Sequence, residues 1–159
     1  MNAPRLAWTT LAPVQFKSLY AVSQSLAESS LGSKLIELVQ TRVSQINGCA
    51  YCLDMHAREL RKGGESWQRL NVLSAWRETH FFTAKEQSAL AWAESLTCLP
   101  DGHADREVEY QALREHFNDG EIVELTWAVA VITRGIVWLL ACISLSMQTP
   151  STDSVKIEA

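Results

Sequence analysis

The chain has 159 residues, 47% hydrophobic and 20% charged, with a formal net charge of -4. That length suits one domain with its own core. The acidic balance and the lack of any Lys/Arg-rich run exclude the electrostatic footprint of a nucleic-acid binder.

No stretch sustains period-2 alternation, so strands are not expected. A first helix is read over 13–29, starting at Pro13, with Phe16, Leu19, Tyr20 and Leu26 as apolar members. Gly32-Ser33 interrupts it. Ser33 can cap a second helix over 34–47, in which Leu35, Leu38, Val39, Val43 and Ile46 recur at helical spacing. Asn47-Gly48 is a stop signal. A third helix runs from Cys49 to Lys62 and ends at Gly63-Gly64. Ser66 caps a short helix through Ser74, and Thr83-Ala-Lys-Glu86 is a capping box opening a helix to Leu96.

Pro100-Asp-Gly102 reads as a turn, 104–117 as a helix, and Asp119-Gly120 as a separator before a long apolar helix. Leu125 to Met147 is long enough to cross a bilayer. Arg134 stands at its middle, where a lone span would pay about 2.5–3.5 kcal/mol. No basic cluster flanks it, so a core or interface helix is expected and no membrane partner. Gln148 to Ala159 is polar and expected to be disordered. The sum is an all-α protein of six to seven helices, one domain over 1–147 with a tail over 148–159.

Cys49-Ala-Tyr-Cys52-Leu-Asp-Met-His56 concentrates the chemistry. On a helix, residues three and four apart share a face, so two thiols and an imidazole converge. Four cysteines are too sparse for a disulfide scaffold, and Met1 to Thr10 lacks a basic region followed by an apolar core. A cytoplasmic, reducing setting is therefore expected, where a CxxC serves catalysis or metal binding. At the first turn of the helix, free N–H groups favour a thiolate and are expected to lower a cysteine pKa. His56 can then exchange a proton with Cys52, one thiolate can attack an oxidant, and the other thiol can close the bridge. Glu37, a carboxylate among Leu35, Ile36, Leu38 and Val39, can serve as a proton shuttle if partly buried beside the CxxC helix.

The run Glu37-x4-Arg42-x-Ser44-x2-Asn47-Gly-Cys-x-Tyr51-Cys-x3-His56 resembles the core motif of the alkylhydroperoxidase D-like family, within the carboxymuconolactone decarboxylase superfamily. The stretch from Arg69 to Glu94 and Leu125-Thr-Trp-Ala-Val-Ala-Val-Ile132 are similar to it as well. The likeness spans about residues 13–135, with its core over 34–97. It implies an all-helical subunit that assembles as a dimer, trimer or hexamer. It implies a thiol-dependent peroxidase, in which Cys52 reacts with the hydroperoxide, Cys49 resolves, and His56 and Glu37 relay protons. A dithiol, in relatives often a lipoylated adaptor, supplies electrons, and no separate cofactor is implied. Tyr51, Arg42, Ser44 and Asn47 are candidate supports around the thiols. Ile132-Thr-Arg-Gly-Ile-Val departs from the Ile-Asn-x-Trp-Asn-Arg of many members, which bears on substrate range and subunit contacts.

Other readings stand beside this one. A zinc site would use Cys49, Cys52 and His56 with Cys98 or His103, but lacks the second tight ligand pair of a structural site. A decarboxylase would not need both cysteines. A redox-sensing oligomer could bind partners through the 125–147 helix without turnover. Cys98 and Cys142 read as packing residues, and His80, His103 and His116 as surface residues.

Overall fold

The computed structural model describes residues 5–99 and 106–142. Among these there are eight α-helices and no strand: α1 Trp8–Leu11, α2 Pro13–Ser25, α3 Ser33–Ile46, α4 Ala50–Lys62, α5 Trp67–Val72, α6 Ala84–Thr97, α7 Glu107–Arg114 and α8 Asp119–Cys142. Short 3-10 segments follow α2 (Leu26–Glu28) and α5 (Leu73–Glu78). The count exceeds the expected six to seven because of α1, a single turn with no side-chain cap and no room for periodicity. The turn read at Pro100-Asp-Gly102, His103 and the 148–159 tail lie outside the described residues.

Two boundaries differ from expectation. Ser33 is the first residue of α3; Gly32, at φ 78°, holds the N-cap position without a side-chain bond. Asp119-Gly120 forms the first turn of α8 rather than a separator. The cause is one residue upstream: the Asn118 side chain accepts from the Glu121 N–H at 3.0 Å, and the Glu121 carboxylate accepts from the Asn118 N–H at 2.9 Å. This reciprocal pair satisfies two helix-end donors.

Helix α3 is the centre of the molecule and packs on α4, α6 and α8. Leu38, Val39 and Val43 are wholly buried, each contributing about 1.5–3 kcal/mol. One apolar cluster joins α3 to α6, α7 and α8 through Val39, Val43, Ala93, Leu113, Leu125 and Val129. A second joins Leu38 to Leu60, Leu73, Trp76, Phe82 and Leu90. Carboxylates tie the helices at their edges. Glu94 accepts from Arg42 at 2.6 Å, from Trp76 at 2.9 Å and from Arg77. Burial opposes its charge, yet these donors hold Glu94 below the usual carboxylate range. Glu86, likewise against burial, is held low by Arg69 and the Thr83 cap.

Helix α8 has the length and apolarity to cross a membrane, with a mean hydropathy of 1.8 in its richest window. In the fold one of its faces is core: Ile122, Leu125, Val129, Ile132 and Ile136 are buried, while Val123, Trp127, Val137 and Trp138 are exposed. Helices α1 and α2 bury no residue of their own. Trp8 stacks on Trp138 of α8 at 6.0 Å and meets Phe16 edge-on at 4.9 Å, and Phe16 stacks on Tyr20 at 5.8 Å. This aromatic ladder fastens the hairpin across α8.

Candidate active site

The local sequence explains how the two thiols are held. Helix α3 ends in a Schellman turn: Gly48 sits at φ 65°, its N–H bonds the Gln45 carbonyl at 3.3 Å, and the Cys49 N–H bonds the Ser44 carbonyl at 3.1 Å. The Asn47 amide donates to the Val43 carbonyl at 2.9 Å and closes the same turn. The chain thus passes from the end of α3 into the start of α4 in three residues, Asn47 to Cys49. Cys49 is the N-cap of α4, and its Sγ accepts from the Cys52 N–H at 3.4 Å. Sulfur occupies the place a serine or aspartate oxygen usually takes. Both cysteines are free thiols, wholly buried.

The Cys52 thiol is pushed up to about 12. Burial is the largest cause, followed by the hydrogen bond and the charge of Cys49; backbone N–H and Ser44 bonds pull the other way and lose. The expected lowering at the helix start is therefore reversed. A helix N-terminus favours a thiolate by partial charges, whereas burial beside a second thiol costs more. Cys52 rests protonated at neutral pH and needs a base to react.

Such a base lies one turn along. His56 is 5% exposed. Its Nδ1 is 2.7 Å from Glu37 Oε2 on α3, and its Nε2 is buried with no hydrogen-bond partner. Glu37 fixes the Nδ1–H tautomer and leaves Nε2 to accept a proton. Cys52 and His56 both line a cavity of about 180 Å³. Trp8, Phe16 and Leu19 supply one wall, Val131, Ile132 and Leu139 of α8 another, and Gln40 lies on the α3 side. Cys49 does not line it.

The remaining predicted residues fall into different places. Ser44, wholly buried, donates to the Gln40 carbonyl at 2.7 Å and is among the groups that pull the Cys52 pKa down. Arg42 is held by Glu94 and Gln45, facing α6. Tyr51 is 46% exposed. Cys142 is buried, Cys98 half-buried and His80 exposed. No three His, Cys, Asp or Glu side chains among the described residues form a metal-binding group. Sequence reasoning missed Gln40. The available signal was its spacing: Glu37, Gln40 and Ser44 stand at i, i+3 and i+7, a polar stripe on an otherwise apolar helix face.

A helical subunit carrying this buried dithiol, with an imidazole and a carboxylate behind it, defines an alkylhydroperoxidase D-like class of fold. The chain belongs to the carboxymuconolactone decarboxylase family, whose model matches residues 16–95. It is 36% identical over 121 residues to the uncharacterized protein YdfG of Bacillus subtilis (strain 168), covering 76% of this chain and 82% of that one. It superposes with a TM-score of 0.83 and 33% identity on a protein of unknown function from Agrobacterium tumefaciens, described as a candidate antioxidant defence protein AhpD. That match covers 92% of this chain and 100% of the other. The debrominase Bmp8 shares the fold at a TM-score of 0.73 and 16% identity, over 84% of this chain and 71% of its own.

Proposed function

We propose that the protein is a thiol-dependent peroxidase that reduces hydroperoxides through a Cys49/Cys52 dithiol–disulfide cycle. The observation that carries this reading is the meeting of Cys52 and His56 on one cavity wall, with Glu37 bound to the far nitrogen of the imidazole. His56 Nε2 takes the Cys52 proton, and Glu37 steadies the imidazolium. The thiolate attacks the terminal oxygen of R–O–OH. An S–O bond forms, the O–O bond breaks, and the leaving alkoxide takes the proton from His56 and departs as an alcohol. Cys52 is left as a sulfenic acid. The Cys49 thiol then attacks the Cys52 sulfur; an S–S bond forms and water leaves with the Cys49 proton. Cys52 lines the cavity and Cys49 does not, which supports Cys52 as the attacking thiol and Cys49 as the resolving one.

The two thiols carry the electrons, so no separate cofactor is needed. Both are wholly buried, and a donor must reach Cys52 through the cavity. That favours a slender dithiol arm, such as a lipoyl group on an adaptor, over a broad protein surface. The exposed apolar side chains Val123, Trp127, Val137 and Trp138 of α8 suit contact with a second copy, in a dimer, trimer or hexamer. The proposed setting is cytoplasmic.

The test is steady-state consumption of cumene hydroperoxide with excess dihydrolipoamide. Many turnovers per subunit are expected. A single oxidation that then stops would replace the enzyme reading with a redox sensor.

A further inference from the structure

We propose that Gln40 is the residue that binds the peroxide oxygens, its side-chain amide donating to the oxygen that leaves as alkoxide. This rests on the peroxidase reading and adds to it a residue and a direction of binding. Breaking an O–O bond places negative charge on the leaving oxygen, and a catalyst gains by holding a donor there. Apart from the His56 imidazolium, which gives up its proton, no cation among the described residues lines the cavity for that task. Arg42, the nearest in sequence, is occupied by Glu94 and Gln45, and no Arg or Lys lines the wall. Gln40 does line it, beside Cys52 and His56. It is 7% exposed, and its side-chain amide has no hydrogen-bond partner among the described residues; only its carbonyl is engaged, by Ser44. The amide is thus free to donate to a ligand that enters the cavity. The other uncharged polar groups on the wall are less enclosed: Ser23 and Tyr20 are exposed, and Trp8 is half-buried.

The position also fits the chemistry. Gln40 lies between Glu37 and Ser44 on one face of α3. Ser44 donates to the Gln40 carbonyl and Glu37 holds the proton-carrying imidazole. A hydroperoxide with its oxygens among Gln40, Cys52 and His56 would lay its R group against Phe16, Leu19 and Leu139. The S–O bond then forms at the terminal oxygen, Gln40 holds the charge on the departing one, and His56 delivers its proton there.

The experiment compares two reactions of Cys52 in wild-type, Gln40→Met and Gln40→Ala proteins, starting from the reduced dithiol. One is oxidation by cumene hydroperoxide, the other alkylation by iodoacetamide, which has no peroxide oxygen to stabilise. The peroxide rate is expected to fall about 10²-fold in both variants, with alkylation within about twofold of wild type. An unchanged peroxide rate overturns the assignment. So does an equal fall in both reactions, which would make Gln40 a general influence on the thiol. If Gln40→Met fails to fold, Gln40→Ala carries the comparison. Wild-type protein that ignores the peroxide yet alkylates normally would instead overturn the peroxidase reading itself, and the assignment with it.

Discussion

The residues of the site divide the work of one proton transfer. Cys52 is too basic to ionise unaided near neutral pH, so the imidazole must take its proton, and Glu37 at 2.7 Å from Nδ1 holds that imidazole in place. Glu37→Gln is expected to slow turnover by about 10²-fold; a wild-type rate in the peroxide assay would assign Glu37 to packing. Cys49 is one of the causes that raise Cys52. Replacing it by serine removes a group that can carry negative charge beside Cys52, so the Cys52 pKa falls and its thiolate fraction at pH 8 grows. Iodoacetamide should therefore alkylate Cys52 faster in Cys49→Ser than in wild type, and a slower reaction would contradict the electrostatic account. At this scale the CxxC-x3-H spacing was legible because helical geometry maps sequence onto a face. The direction of the Cys52 shift was not, because burial depends on α8 and the aromatic hairpin, which are distant in sequence. Glu37 was named as the partner of His56 from the motif, while its 2.7 Å contact with Nδ1 comes from the packing of α3 on α4.

Among the elements, those with local punctuation were read and those without it were missed. Asn47-Gly48, Gly63-Gly64 and the Thr83 box each satisfy their helix ends within a few residues, and each stands in the structure. Helix α1 has no cap and owes its place to the stacking of Trp8 on Trp138, a contact no local pattern announces. The start of α8 depends on Asn118 and Glu121, a capping pair hidden by the adjacent Asp119-Gly120. Two glycines give opposite predictions. Gly48 lies at φ 65°, and a Cβ there would meet nothing within 4 Å, so Gly48→Ala costs only backbone strain, about 1–2 kcal/mol. It should lower the urea midpoint and loosen the thiol turn. Gly135 is helical with open space around it, and Gly135→Ala should raise the midpoint by up to about 1 kcal/mol of stability. Reversed signs in urea unfolding would refute this reading of both positions.

The described fold is built around α3, and α1, α2, α4 and α8 each bring a part of the site to it. Its all-α character was legible because periodicity and caps agree along the chain; the cavity was not, because its walls come from both ends of the sequence. Stability should carry the signature of its titrating groups. Glu86 and Glu94 lie below their ordinary value in the fold, so the native state releases protons that the unfolded chain holds, and stability is lost on acidification below about pH 4.5. Cys52 lies above its ordinary 9.0, so the native state keeps a proton the unfolded chain has lost. Its contribution is present below pH 9 and fades as pH rises toward 12. Unfolding of wild type against Cys52→Ala from about pH 8 to 11 should show the wild type losing stability more steeply; parallel curves would contradict the burial of that thiol. The central claim is that Cys49 and Cys52 form a reversible couple driven by peroxide, and peptide mass spectrometry tests it most directly. One equivalent of cumene hydroperoxide, followed by excess dihydrolipoamide, should form a Cys49–Cys52 bridge, reverse it, and repeat on each addition. A pair that stays reduced under peroxide would contradict the account.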